Sequence, residues 1–420
     1  MMQLIRGFRD ILPGESAHWQ AIEEAARRLF ADFGFQEIRI PLLEKTALFA
    51  RSIGEDTDIV EKEMYTFEDR KGDLITLRPE ATASVVRAYI QHKLYAGDPF
   101  HKLFTIGPMF RRERPQKGRY RQFYQINAEV FGTDSPLIDA QLVYILMTLL
   151  GRLGVSGVQA HVNSLGCPVC RPDFKAALMV FASGRSAALC ADCLRRKEKN
   201  PLRLLDCKVP SCREAMAQAP EMGTYLCPDC REHFQRFLSA LSRLNVPHVP
   251  DSRLVRGLDY YTRSTFEIQT HVPGAQNAIA GGGRYDGLVK ALGGPDIPAT
   301  GFAIGLDRLA EIVKKDSQSA PGRPDVFIAA LGGKSREKAF EWACRLGEKG
   351  IFAEMDFGDR GLKAQMKRAG KLDARYVIII GESELSTETA VLRDMAAARQ
   401  EDVPFSLLLG TVIERIGNPH

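Results

Sequence analysis

Residues 110–125 read FRRERPQKGRYRQFYQ, in which Arg111, Arg112, Arg114, Lys117, Arg119 and Arg121 stand against the single acid Glu113, framed by Phe110, Phe123 and Tyr124. A guanidinium stays charged at any working pH and donates two parallel bonds to a phosphate, and an aromatic face can stack on a purine. The stretch therefore suits phosphate recognition, although a solvated charge run has the same composition. Pro115 and Gly118 lie at its middle, where a turn is expected. A second group is LRPEAT at 77–82, with Glu129 on the strand after the basic stretch. Two carboxylates and Thr82 beside an arginine-rich site suit a cationic, amine-bearing substrate. Glu80 and Thr82 also fit the start of the next helix, where an acid complements the dipole, and the two readings are compatible.

Two glycine-bearing stretches follow. In LVRGLDYY at 254–261, Arg256 precedes Gly257 inside a strand-like run, and glycine there marks the close approach of a ligand or another backbone. In AIAGGGRYDGLVKALGG at 278–294, three consecutive glycines permit the same approach, and Gly305 of TGFAIGLDRL precedes a helix carrying Arg308. A tight turn with a surface arginine accounts equally for either stretch alone. Familiar nucleotide signatures are absent: Asp286 replaces the third glycine of G-x-G-x-x-G in GGGRYDG, and Ile328 replaces the upstream glycine of a P-loop before LGGKS. Eight of nine cysteines fall in four close pairs, Cys167/Cys170, Cys190/Cys193, Cys207/Cys212 and Cys227/Cys230, two of them written CPVC and CPDC. That spacing suits tetrahedral Zn²⁺, and eight ligands would fill two sites; reduced, partly buried thiols are the alternative.

These residues need elements to hold them. Trp19, Ile22, Ala26, Leu29 and Phe33 recur at helical spacing from Ser16, an N-cap, to Gly34, a C′ residue. FQEIRI reads as a strand finishing at Pro41 or lying at an edge. MYTFED and DLITLRPE flank a turn at Arg70-Lys71-Gly72, and HKLFTIGPMF and RQFYQINAEVF flank the basic stretch, so the sheet reads antiparallel. A largely apolar helix is expected over 137–153 and a strand over 157–163; cysteines and prolines then interrupt until strand-like text returns with LVRGLDYYTRSTFEIQT. An insertion within one domain explains the interruption. After the polar linker KKDSQSAPGRP, the segments VFIAAL, IFAEMDF, YVIIIG and FSLLL read as strands of β-α-β-α units.

With 420 residues, 45% apolar and 26% charged, the chain can form two or three cored domains, which excludes disordered and fibrous classes. No signal-like apolar run precedes Pro13, and LVYILMTLL at 142–150 is too short to cross a bilayer, so a cytoplasmic protein without a membrane partner is expected. A net charge of +5 and a pI near 8.6 permit a polyanionic partner without demanding one. Residues 324–417 hold fourteen Lys and Arg against fifteen Asp and Glu, yet Arg360, Lys363, Lys367 and Lys371 recur at helical spacing. That stripe suits RNA phosphates, or a plain solvated face.

Taken in order, Glu80–Thr82, FRRER with Glu129, RGLDYY, the glycine-rich strand and the GLDR helix closely resemble the histidyl-tRNA synthetase family, a class II aminoacyl-tRNA synthetase family. The resemblance runs from RGFRDILP through the C-terminal region, and RGLDYY with PQKGRYRQF is its most specific part. It implies an α+β fold with an antiparallel-sheet catalytic domain over 1–320, interrupted by a Cys-rich insertion at about 167–250, and a C-terminal α/β anticodon-binding domain over 324–420. It also implies a homodimer built across the first helix and the strand ending at Pro41, and a ligase that activates L-histidine with ATP and Mg²⁺ and passes it to tRNA(His).

Residue by residue, Arg111 and Arg256 match the catalytic arginines at the α-phosphate, and Glu113, Arg119, Phe123 and Arg308 match positions that hold ATP. Glu80, Ala81, Thr82, Gln125, Glu129, Tyr260 and Tyr261 match the histidine pocket, with Ala81 standing where the family often has Gly. Gln116 matches the loop that meets the tRNA acceptor end, and Lys363 and Lys367 fall in the anticodon-binding region. Many relatives lack the cysteine pairs, so a bound Zn²⁺ would be structural. A catalytically silent relative, the regulatory subunit of ATP phosphoribosyltransferase, would be expected to lose part of the arginine set and the C-terminal domain, both of which are kept. A zinc-dependent RNA-binding module would explain the cysteines and the basic hairpin, but not RGLDYY.

Overall fold

The computed structural model describes residues 2–54, 57–116, 118–270, 278–314 and 322–417. It divides into two compact units, Met1–Gln318 and Ser319–His420. Most of the expected linker KKDSQSAPGRP lies outside the described residues.

The first unit is built on an eight-stranded sheet in the order Gln36–Glu37, His101–Phe110, Gln122–Phe131, Ala299–Gly305, Ala278–Arg284, Thr262–Thr270, Val158–Ser164 and His248–Pro250. Its inner pairings are antiparallel, and only the two short edge strands pair in parallel. Alternation along each strand gives the sheet two unlike faces. Ile126, Ala128, Val130, Phe266, Ile268, Phe302 and Ile304 pack into a core beneath the helices Glu15–Asp32 and Pro136–Arg152. Their alternates Gln125, Glu129, Glu267, Gly301 and Gly305 turn to the other face, where the site lies. Trp19, Ile22, Ala26 and Leu29 are buried on the first helix, each larger side chain contributing roughly 1.5–3 kcal/mol.

Several expectations need correction. The first helix begins at Glu15 with Gly14 as its N-cap, because Leu12 O already accepts from the N–H groups of Glu15 and Ser16; Ser16 therefore lies inside the first turn. FQEIRI pairs only at Gln36–Glu37, on the edge of the sheet. Tyr65–Glu68 and Leu74–Leu77 do form a hairpin, with Gly72 at φ +86°, but they join Leu43–Lys45 in a separate three-stranded sheet. RGLDYY is a loop, and its strand starts at Thr262. The loop backbone is bonded elsewhere, with Asp259 N donating to Ile53 O.

Between Val158–Ser164 and His248–Pro250 the chain forms the helices Arg171–Ser183, Ala191–Lys199, Pro210–Ala215 and Pro228–Arg243. The first three surround a small apolar cluster of Phe174, Leu178, Met216, Met222 and the cysteines. The last belongs partly to the main core through Phe237 and Leu241. From it, His233 Nε2 lies 3.0 Å from Asp139 Oδ2, while Arg284 Nη2 donates to Asp139 Oδ1 at 2.8 Å. Arg284 and Asp139 are both fully buried, and Arg284 also bonds the carbonyls of Thr133 and Ser135.

The second unit has a five-stranded sheet in the order Ala353–Met355, Val326–Ala330, Tyr376–Ile380, Thr389–Asp394, Arg399–Pro404. The first three strands are parallel and the last two form an antiparallel hairpin that propensity alone did not reveal. FSLLL is helical, opening Phe405–Ile416, because Phe405, Leu408, Leu409, Val412, Ile413 and Ile416 repeat at helical spacing and face the sheet. No helix among the described residues is long and apolar enough to cross a membrane.

Candidate active site

A cleft with a cavity volume of about 200 Å³ opens on the sheet face opposite the helix-covered core. Arg111, Glu113, Arg119, Phe123, Gln125, Arg256 and Arg308 all line it. The two long strands hold the hairpin: Arg111 N donates to Arg121 O at 2.8 Å, and the turn closes between Gln116 and Arg119 around Gly118 at φ +70°. Gln116 is exposed at the tip, and Lys117 lies outside the described residues. Arg111 Nε donates to Pro79 O at 2.9 Å, and its guanidinium lies 5.3 Å from the centroid of Phe123. Glu113 stands between Arg111 Nη1 at 3.7 Å and Arg119 Nη1 at 3.5 Å. Arg308, on the short helix after Gly305, donates through Nη1 to Ala278 O at 2.8 Å; burial, then the neighbouring Arg119, lowers its pKa from the usual arginine value. Arg256 Nη1 donates to Glu267 Oε2 at 2.8 Å.

Four guanidiniums thus converge with two carboxylates as their counter-ions. Among the described residues, Arg119 Nε, Arg256 Nε and Gln125 Oε1 are buried without a hydrogen-bond partner. Such atoms are costly unless a ligand meets them. Two further hairpin arginines have anchoring contacts. Arg121 N and Nη1 donate to Gly7 O and Arg6 O, while Arg112 N donates to Glu63 O and its guanidinium lies 5.9 Å from the centroid of Tyr65.

Next to the cleft is a buried polar cluster. Glu129 Oε1 accepts from Thr82 Oγ1 at 2.7 Å and Oε2 from Tyr285 Oη at 2.5 Å. Glu80 accepts from Thr82 N at 2.7 Å and Ala83 N at 2.8 Å, so its carboxylate satisfies the start of the helix Thr82–Gln91, where Ala81 is the fully buried N-cap residue. Burial raises both acids above the usual carboxylate range, Glu129 to about 8. Tyr260 packs at 4.7 Å from Tyr261 and 5.5 Å from Tyr285, and the Arg256 guanidinium lies 6.0 Å from the Tyr261 ring.

The glycines of the strand Ala278–Arg284 and of its neighbour Ala299–Gly305 serve the protein's own side chains first. A methyl at Gly281 would collide with the Arg256 guanidinium, and one at Gly301 with the Glu129 carboxylate. Tyr285 and Glu267 were missed in the sequence. Glu267 had a signal, because TFEIQT places Thr265, Glu267 and Gln269 on the face opposite Phe266 and Ile268; Tyr285 had none beyond its place after the glycines.

The cysteines gather into two groups, Cys167/Cys170/Cys227/Cys230 and Cys190/Cys193/Cys207/Cys212, each with its sulfurs within 4.8 Å of one another. Cys167 Sγ lies 3.7 Å from Cys170 Sγ and 3.8 Å from Cys227 Sγ. A tetrahedron with Zn–S bonds of about 2.3 Å has an edge of about 3.8 Å, so the donors fit that ion, and they are too far apart for disulfides. Although burial opposes it, backbone N–H groups of Cys170 and Val169 and hydrogen bonds within the group bring the Cys167 thiol down to about 7. Lys363 and Lys367 belong to the second unit, exposed on the helix Leu362–Lys371.

Comparison with known proteins adds an independent line. Residues 7–309 match the family model described as "Histidyl-tRNA synthetase", and residues 325–415 match an "Anticodon binding domain". The chain is 58% identical over 419 residues to a histidine–tRNA ligase of Desulfosudis oleivorans, covering 100% of this chain and 99% of that protein. It is 59% identical over 412 residues to the histidine–tRNA ligase of Desulfatibacillum aliphaticivorans, covering 98% of each. A crystal structure of apo S. aureus histidyl-tRNA synthetase superposes with a TM-score of 0.80 at 32% identity, covering 98% of this chain and 100% of that one. With this extent of match behind the arginine cleft and the glutamate pocket, the chain belongs to the histidyl-tRNA synthetase family.

Proposed function

We propose that the chain is an ATP-dependent histidine–tRNA ligase whose cleft holds ATP and whose adjoining pocket holds L-histidine. The carrying observation is the junction of the two: Arg256 reaches the four-guanidinium cleft and also touches Tyr261 of the Glu129 pocket. Phe123 and Arg308 take the adenine between them, Arg119 reaches the outer phosphates, Glu113 helps to hold the ATP from between Arg111 and Arg119, and Arg111 and Arg256 face the α-phosphate. The histidine carboxylate oxygen bonds to the α-phosphorus while the bond from that phosphorus to the pyrophosphate oxygen breaks. Guanidiniums already fixed on both sides stabilise the charge of the in-line transition state. The 3′-terminal ribose hydroxyl of tRNA(His) then takes the histidyl group, and AMP leaves. Mg²⁺, which favours oxygen donors, neutralises the outer phosphates when bound, and Glu113 and Glu267 supply such donors at the cleft.

Glu80, Ala81, Thr82, Gln125, Glu129, Tyr260 and Tyr261 form the histidine pocket. Carboxyl, amide and phenol groups there meet the ammonium and imidazole by hydrogen bonds, which reject apolar amino acids strongly. Gln116 meets the acceptor end of the tRNA, and Lys363 and Lys367 meet phosphates near its anticodon. Each thiol group holds one structural Zn²⁺, supported by 3.7 and 3.8 Å sulfur spacings in the group of Cys167 and by a 4.0 Å spacing between Cys190 and Cys207 in the other. The protein works in the cytoplasm, where its aminoacylated tRNA is consumed. A homodimer is supported by the partly exposed face of the three-stranded sheet carrying Leu43 and Phe67.

Histidine-dependent exchange of pyrophosphate into ATP tests the reading. No exchange with histidine would favour a regulatory role, and exchange with a different amino acid would overturn the substrate. Arg256→Ala is expected to lower exchange by about 10²-fold or more while histidine still binds; unchanged exchange would refute the role given to that arginine.

A further inference from the structure

Arg171 follows Cys170 directly and has no part in the family resemblance traced above. Its guanidinium donates to three main-chain carbonyls: Nε to Leu165 O at 3.1 Å, and Nη2 to Gly166 O at 3.2 Å and to Tyr261 O at 2.6 Å. The Tyr261 carbonyl belongs to the histidine pocket, 90 residues away in sequence. Gly166 O is itself shared, since Thr262 Oγ1 and Arg263 N also donate to it, both at 2.9 Å. The first chelate turn is thereby locked to the start of the strand that follows RGLDYY. At Gly166, φ +66° is a left-handed backbone, and a methyl there would press on Cys170 Sγ at 2.8 Å, so the turn sits hard against the sulfurs.

The charges point the same way. Four thiolates on one dication leave a net charge of two negatives, and Arg171 lies near enough for the charges of Cys170, Cys167 and Cys230 to act on it. The Arg171 guanidinium, one residue from a sulfur ligand, directs its Nε and Nη2 at three fixed carbonyls, as ligand-supporting groups of metal sites do. The 254–261 loop lies outside any strand, so few regular hydrogen bonds fix Tyr261. Its ring position, beside Arg256 and Tyr260, depends on where its main chain is held.

We propose that the Cys167/Cys170/Cys227/Cys230 group, as a zinc centre, is a positioning device for the histidine pocket, acting through Arg171 on the main chain of Tyr261. The proposal rests on the zinc and histidine readings given above. Its test uses the full chain: zinc per chain by mass spectrometry after a chelator wash, histidine affinity by calorimetry, and separate KM values for histidine and ATP in pyrophosphate exchange. In Arg171→Ala, zinc should stay at the wild-type content, while the Kd and KM for histidine rise about tenfold and the KM for ATP changes far less. Arg171→Lys keeps the cation but loses the three-carbonyl fork, so an intermediate rise is expected; it also carries the test if Arg171→Ala does not fold. Unchanged histidine affinity in a zinc-replete variant overturns the coupling alone. An equal rise in both KM values overturns it too, as a general loss of structure. Wild-type protein without zinc overturns the metal reading and the proposal with it.

Discussion

Burial lifts the Glu129 carboxyl to about 8, and the bonds from Tyr285 and Thr82 offset this only in part, so Glu129 is expected to hold a proton near pH 7 until a cation faces it. A cationic ammonium entering the pocket favours the carboxylate, so histidine binding at pH 7 is expected to release a proton. Calorimetry in buffers of different ionisation heat measures this, and buffer-independent heats would contradict it. Affinity should rise with pH and level off above about 8. The same shift has the opposite sign for stability. The folded chain keeps a proton that the unfolded chain gives up near 4.5, so the contribution is full below that pH and is lost as pH rises through about 8. Arg111, Glu113 and Arg119 were legible in the sequence because they share one hairpin. Tyr285 and Arg171 were not, because their partners Glu129 and Tyr261 lie 156 and 90 residues away.

At the scale of elements, the helix Pro228–Arg243 is tied to the sheet by a charged network that spacing could not announce. Asp139 accepts from fully buried Arg284 and contacts His233; burial opposes its ionisation, but Arg284 and His233 bring its pKa below the usual aspartate range. Its contribution is therefore present above the ordinary value of 3.8 and fades as pH falls through the lower folded one. Removing one member strands a buried charge, so Asp139→Ala should cost about 3–5 kcal/mol, read as a lowered denaturant midpoint. A loss below about 1 kcal/mol would mean that the network contributes no more than a surface pair. Long strands such as His101–Phe110 were readable from alternation and turn residues. RGLDYY and FSLLL were misread as strands because such short runs carry no period of their own; tertiary bonds decide the first, and the residues after 409 reveal the second as a helix.

Across the whole molecule, the three-stranded sheet shows Leu43 at 42% and Phe67 at 45% exposure, with Lys45 and Ile75 on the same face. Apolar side chains grouped on one uncovered face suit a second copy of the chain. For the proposed dimer, Leu43→Asp combined with Phe67→Asp should halve the mass seen by sedimentation and sharply lower exchange; an unchanged dimer mass would place the contact elsewhere, as at the first helix and the strand ending at Pro41, and a wild-type mass of one chain would overturn the dimer. The second unit was legible as an alternating α/β region. Its closing hairpin was not, since Arg399–Pro404 is polar and mostly exposed, with little alternation to read.

The glycines at 281 and 301 leave no room to retune the site by trimming. Side chains are already absent where the two paired strands pass beneath Arg256 and Glu129. A redesign for a bulkier amino acid would have to carve its space from the walls, at Tyr260, Tyr285 or Thr82, and each of those groups is bonded to or packed against another member of the pocket. Altered selectivity would then require several coordinated replacements, which makes the floor of this sheet a barrier to gradual drift toward another substrate.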